Sequence, residues 1–223
     1  MILGIYGAGG LGREVYELAE TINKARTDPY WGNIVFISDI DSEKEIWGIP
    51  VLRYEDFVLR FSAKFTQIAI AVGEPFGREH IRKKVIASNY HLATLIHPIC
   101  RISPRAIILE GCIVNFGCNI SYDTMIGTNT FLQPSCGIGH GSQVGEDSVI
   151  SAGVRIAGNV SIGNQVYVGL HSAIREKISI GDAAIISMCS SIQRDVPNEM
   201  IAAGNPARII QKNNDHKVFK PKM

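Results

Sequence analysis

From Ile96 to Ile192, every sixth residue is aliphatic. The run is Ile96, Ile102, Ile108, Val114, Ile120, Ile126, Leu132, Ile138, Val144, Ile150, Ile156, Ile162, Val168, Ile174, Ile180, Ile186 and Ile192, with no slip of phase. If one residue in three were Ile, Leu or Val, such a run would arise by chance roughly once in a hundred million, so the repeat is real. A period of six fits neither the 3.6 of an α-helix nor the 2 of a flat strand. It fits short strands joined by tight turns and stacked as a parallel β-helix, each hexapeptide forming one side of a coil. The aliphatic residue then fills the bore. Two positions earlier the side chains are mostly small or β-branched, as in Cys100, Ala106, Cys112, Cys118, Thr124, Thr130, Cys136, Ser142, Ser148 and Ser172. Glycine often comes one residue after, as in Gly127, Gly139, Gly145, Gly163, Gly169 and Gly181, and is expected to accommodate the turn.

Four of the five cysteines occupy the small inward position, which makes them core fillers; Cys189 is out of phase. The five are odd in number and form no CxxC pair, against both a zinc knuckle and a complete disulfide framework.

Upstream of the repeat the chain alternates strands and helices. Strands are expected at residues 2–6, 33–38, 49–52, 66–72 and 93–96, with helices at 14–24, 54–61 and 76–87. The second strand runs into Asp39 and Asp41. This rhythm implies an α/β domain over residues 1–95 with a small parallel sheet, followed by the β-helix over 96–210 and a tail over 211–223. Gly7, Gly9 and Gly12 match GxGxxG between a strand and a helix, with Asp39 where an acidic residue meets a ribose in dinucleotide sites. A nicotinamide dinucleotide is disfavoured because the α/β part supplies half of the usual two-lobed sheet and no oxidoreductase domain follows. A purely structural tight turn remains the alternative.

Hydrophobic residues make up 46% and charged residues 19% of the 223, which excludes intrinsic disorder. The formal net charge of +1 offers no overall field for nucleic acid or an anionic membrane, and neither is expected as a partner. No apolar run is long enough for a membrane span, and residues 1–10 lack the basic start and cleavage site of a secretion signal, so a cytoplasmic location is expected.

The pattern resembles the hexapeptide-repeat acyltransferases and, within them, the sialic acid O-acyltransferase and bacterial amino-sugar N-acetyltransferase family. The resemblance is carried by the opening Gly7-Ala8-Gly9-Gly10-Leu11-Gly12-Arg13-Glu14, by Asp39, by the stretch from Ala152 to Val160 and by the ending Ala203-Gly204-Asn205-Pro206-Ala207-Arg208. It implies a left-handed β-helix, a homotrimer, and acetyl-CoA as co-substrate with no metal. The implied acceptor is a nucleotide-linked amino sugar, or a sugar hydroxyl of the sialic-acid type, held by the N-terminal domain at Gly7, Gly9, Gly10, Asp39 and Gly73. The same resemblance places the acetyl-CoA site at Gly153, Gly158, Asn205 and Pro206, with the Gly158 N–H on the acetyl oxygen and the 203–208 ending closing over the CoA arm. Leu11 stands where several relatives carry a histidine.

Acyl transfer from a thioester needs a base and an oxyanion donor. His140 lies two residues after Ile138, so its phase points it outward, and it aligns with the family's catalytic histidine. Relatives follow that histidine with an acidic residue where this chain has Gly141, leaving Glu146, Asp147 and Asp123 as unranked candidates to orient the ring. His97 precedes Pro98 and reads as a linker residue, and His171 as the lining of a neighbouring groove. A zinc lyase of the γ-carbonic-anhydrase type would need two of its three histidines close in sequence, which the spacings of 43 and 31 do not supply. A non-catalytic scaffold is the other alternative. Lys212, Lys217, Lys220 and Lys222 are expected to form a solvated, frayed end.

Overall fold

The computed structural model describes residues 1–40 and 43–219. Asp41, Lys220 and Lys222 therefore lie outside the described residues. The N-terminal sheet contains β1 (Ile2–Tyr6), β2 (Asn33–Ile37), β3 (Glu45–Ile46), β4 (Ile49–Leu52), β5 (Thr66–Ile70) and β6 (His91–Leu92), with helices α1 (Gly10–Lys24), α2 (Tyr54–Arg60) and α3 (Pro75–Ala87). Strand order is β3-β4-β2-β1-β5-β6, parallel throughout except for the β3–β4 hairpin. The chain steps outward from β1 to β2 and β4, then crosses back to β5 on the other side of β1. That reversal opens a crevice beyond the carboxyl ends of β1 and β5, where ligands bind in sheets of this kind.

Two local readings change. Helix α1 begins at Gly10, one turn earlier than expected, so only Gly7 to Gly9 form the turn itself. The fifth strand expected at 93–96 divides in two. His91–Leu92 pairs with β5, whereas Leu95–Ile96 pairs with Ile113 and Val114 and is the first rung of the next structure.

That structure is the β-helix, and its handedness is left. Two-residue strands pair in parallel register with strands 18 residues on, so three hexapeptides make one coil and three sheets make a prism. From Val114 to Ile192 the aliphatic positions are at most 4% exposed, while Ile102 and Ile108 are half-buried because no coil lies below them. Hydroxyls and thiols at the small inward position are satisfied between coils. Thr130, Ser142 and Ser148 donate to carbonyls fifteen residues ahead, and the Cys112 and Cys136 thiols do the same. Burial pushes the Cys112 thiol up to about 12, so these cysteines are packing groups.

The turns work differently from the expectation. From Ile108 to Ile186, the residue three places after the aliphatic position carries the left-handed conformation, as at Asp123, Asn129, Ser135, Gly141, Asp147, Gly153, Asn159 and His171. The glycines one place after serve another purpose: a Cβ at Gly127, Gly139 or Gly145 would strike the backbone of the next coil.

Outward residues Ile113, Phe131 and Val149 on one face of the prism are buried against Leu3, Ala8, Val15 and Leu95, joining the two parts in one core. Beyond the last coil, Met200–Gly204 and Ala207–Lys212 form an antiparallel hairpin around the Asn205-Pro206 cis peptide. As far as Phe219, the expected frayed end is tied back to the chain. Lys212 pairs with Glu199 at 2.9 Å, and the Val218 and Phe219 N–H groups donate to the Glu74 carboxylate. Among the described residues, no helix is long and apolar enough to cross a membrane.

Candidate active site

A cavity of about 560 Å³ lies at the crevice between β1 and β5. Gly7, Ala8 and Gly9 form its floor after β1, Ser38, Asp39 and Ile40 one wall after β2, Ala71 and Val72 the wall after β5, and His80, Ile81 and Lys84 of α3 close it. Its surface is largely apolar, with a few polar groups converging at one end, the usual make-up of a small-molecule site. Gly7 and Gly12 are fixed by close approach: a Cβ on Gly7 would meet the Ala71 carbonyl, and one on Gly12 would meet the carbonyl of Gly7. Gly9 and Gly10 face open space, leaving the N-terminus of α1 accessible to an anionic group. Gly10 lies beside the cavity lining as the first residue of α1. Gly73 also stands outside that lining, in the loop after β5, next to Leu11 and Phe219.

Asp39 is already engaged. Its carboxylate accepts hydrogen bonds from the Tyr6 hydroxyl at 2.5 Å, the Tyr54 N–H at 2.9 Å and Lys84 Nζ at 2.9 Å. Burial alone would raise its pKa, but these three donors outweigh that and hold it at about 2. Burial and the Asp39 carboxylate together push the Tyr6 hydroxyl up to about 12. Burial would lower Lys84, yet its bonds to Asp39 and Tyr6 raise it. Asp39 is therefore held as a carboxylate at neutral pH, tying Tyr6 and Lys84 together at the cavity lining. Tyr6 and Lys84 were missed from sequence because β1 and α3 meet only in the fold.

The second region is a corner of the prism formed by residues 18 apart. Tyr122, His140 and Gly158 stand in successive coils at the same phase. His140 is exposed, as its phase requires. Its imidazole stacks on the Tyr122 ring, with centroids 5.3 Å apart and planes 9° from parallel. On the opposite side lies Gly158, where a Cβ would come within 2.6 Å of Cε1 and 2.7 Å of Nε2. The Gly158 N–H donates to no protein acceptor among the described residues, which leaves it available to a ligand oxygen. None of the three carboxylate candidates reaches His140. Glu146 and Asp147 are both bound to Arg82 at another corner, at 3.0 and 2.6 Å, and Asp123 makes no hydrogen bond to the ring.

Gly153 packs beneath His171 on a different corner, and Asn205 and Pro206 form the exposed turn of the terminal hairpin. No hydrogen bond, ion pair or ring contact among the described residues ties any of these four to His140. His97 lies in the first coil against Phe116. No cluster of three or more His, Cys, Asp or Glu side chains suited to a metal ion occurs among the described residues.

Helix α3 joins the cavity to the β-helix at the Asn129–Asp147 corner, a different corner from that of His140. Arg78, wholly buried, donates to the carbonyls of Ile70 and Val72 on the cavity wall and to the carbonyl and side chain of Asn129 on the β-helix.

Residues 3–85 match the PglD N-terminal domain, and residues 123–158 match the bacterial transferase hexapeptide, six repeats. The chain is similar to the acetyltransferase domain of PglB from Neisseria gonorrhoeae, at 28% identity and a TM-score of 0.86 over 94% of this chain and 99% of that one. It is similar to WeeI from Acinetobacter baumannii, at 25% identity and a TM-score of 0.86 over 94% and 100% of the two chains. Perosamine N-acetyltransferase from Caulobacter crescentus, solved with CoA and GDP-perosamine, shares the fold at 23% identity and a TM-score of 0.85 over 95% and 98%. No curated protein matches the sequence. With a PglD-type N-terminal domain running directly into bacterial transferase hexapeptide coils, the chain shares its architecture over nearly its whole length with solved acetyltransferases.

Proposed function

We propose that this enzyme transfers an acetyl group from acetyl-CoA to the amino group of a nucleotide-linked amino-deoxy sugar, in bacterial surface-glycan synthesis. The observation that carries this reading is the pairing of two sites in one chain: a nucleotide-sized cavity at the β1/β5 crevice, and an outward histidine beside an unclaimed N–H on the β-helix. Residues 1–95 hold the acceptor, 96–210 carry the transfer, and 211–223 form a tail. Phosphate oxygens meet the open backbone at Gly9 and Gly10, while the ribose or base lies towards Asp39 and Lys84. His140 takes a proton from the acceptor amine as its nitrogen attacks the thioester carbonyl carbon. The Gly158 N–H stabilises the oxyanion. As the C–S bond breaks, the proton passes from His140 to the departing sulfur, so no covalent enzyme intermediate forms.

Similarity to a PglB domain solved with acetyl coenzyme A supports the donor. Acetyl-CoA-binding contacts at Gly153, Asn205 and Pro206 require a neighbouring chain to close the groove, because a single prism leaves His140 on an open corner. The assembly is accordingly a homotrimer, working in the cytoplasm.

The decisive experiment incubates the protein with acetyl-CoA and a panel of nucleotide-linked amino sugars and their hydroxyl counterparts, following mass. An added acetyl group on an amino sugar is expected. Acetylation confined to hydroxyl acceptors would make this an O-acetyltransferase, and absence of CoA binding would make it a scaffold.

A further inference from the structure

We infer that Tyr122 is the positioning residue of the catalytic corner, taking the role a carboxylate plays beside many general bases; this rests on the reading of His140 as the base. An exposed histidine rotates about two side-chain bonds, and a base that samples several rotamers is seldom in line with its proton. Such rings are commonly held by a hydrogen bond from one nitrogen to a carboxylate or carbonyl. Here no described residue hydrogen-bonds either imidazole nitrogen. The nearby acids are committed: Asp147 is buried against Arg82 and accepts from Asn129 Nδ2 at 2.7 Å, and Glu146 shares the same guanidinium.

What the imidazole does have is a covered pair of faces. The near-parallel Tyr122 ring lies on one side in an offset stack, and the bare Cα of Gly158 lies on the other. Stacking confines the ring to one plane while leaving both nitrogens free at its edge, so orientation costs no lone pair needed for proton transfer. Tyr122 is itself half exposed, at 50%, and contributes little to the bore. Its removal therefore leaves the coils intact.

The test uses Tyr122→Ala, Tyr122→Phe and His140→Ala in the full chain, with acetyl-CoA and the nucleotide-linked amino sugar that the panel selects. In parallel, crystal structures of the wild type and both Tyr122 variants show the His140 ring without any need for substrate. Tyr122→Ala is expected to lose about 10- to 100-fold in kcat with both KM values within twofold, and its imidazole to spread over several rotamers. Tyr122→Phe keeps the stack and is expected to stay within threefold of wild type, with one ring orientation. A Tyr122→Ala enzyme within threefold of wild type beside an inactive His140→Ala would overturn the positioning role and leave the base in place. A single ring orientation in Tyr122→Ala would overturn it as well. Full activity in His140→Ala removes the base itself, a separate failure.

Discussion

Gly158 touches the imidazole of His140, so the smallest possible side chain at that position probes the catalytic corner. In Gly158→Ala the new methyl group would have to displace the ring, the far end of an exposed side chain, rather than backbone. The fold should survive, with Tm close to wild type, while kcat falls towards that of His140→Ala, itself expected to lose about 10²- to 10⁴-fold. Steady-state kinetics beside a melting curve separates the two. Both positions were legible in sequence because the hexad assigns every residue a phase: two after an aliphatic means outward and at a corner. Tyr122 was equally accessible, since it lies three hexads before His140, but seeing it requires counting in coils of eighteen. Between Ile108 and Ile156, the left-handed turn position was written in the Asp, Asn and Gly that recur three places after the aliphatic residues, the types that tolerate that conformation best.

Around the β1–α1 turn, the three glycines of GxGxxG divide into two kinds that the pattern does not distinguish. Gly12 has backbone against its Cα and Gly9 has open space. Gly12→Ala should therefore lower Tm and impair both substrates together, whereas Gly9→Val should keep Tm and the KM for acetyl-CoA but raise the acceptor KM by about tenfold or more. Equal losses in Gly9→Val would make the loop purely structural. The Tyr6–Asp39–Lys84 cluster joins β1, β2 and α3 and gives a pH signature. Asp39 is depressed from 3.8 to about 2, so its contribution to stability is present above pH 3.8 and lost as pH falls through 2. Tyr6 is raised from 10.0 to about 12, so its contribution is present below pH 10.0 and disappears as pH rises through 12. Asp39→Asn should thus be less stable than wild type near neutrality, with the gap narrowing as acid approaches about pH 2; urea midpoints across that range measure it. A gap independent of pH would mean the carboxylate charge is not what stabilises the cluster. None of this was readable beforehand. A motif marks where a loop turns, but a hydrogen-bonded hub among three elements exists only after the sheet has ordered them.

Across the whole molecule, columns of residues eighteen apart decide which face of the prism meets what. Leu95, Ile113, Phe131, Val149 and Tyr167 form an apolar outward column, and the α/β domain covers it. Arg101, Asn119, Gly137, Arg155, Ala173 and Ser191 form the outward column of the next sheet, four polar side chains and two small ones. At the corner between those two sheets stands a third column, Phe116, Pro134, Ala152, Leu170 and Met188, with Phe116 50%, Leu170 37% and Met188 63% exposed. The coil phase alone would allow any polar residue there, so an apolar stripe running the length of the prism asks for a cover that the chain itself does not provide. The proposed threefold assembly would supply one, with a neighbour expected on the open side of His140. Light scattering is expected to return three times the mass of 24.4 kDa. The double variant Leu170→Glu with Met188→Glu places charges in that stripe without touching the bore, so it should release folded monomers whose circular dichroism matches wild type. Because the groove would then lack its second wall, acetyl transfer should fall by at least about 10²-fold while the acceptor cavity, built within one chain, still binds the nucleotide sugar. A wild-type chain that scatters as a monomer at working concentration would refute the assembly; a variant that stays trimeric would show that the apolar corner is not what holds it.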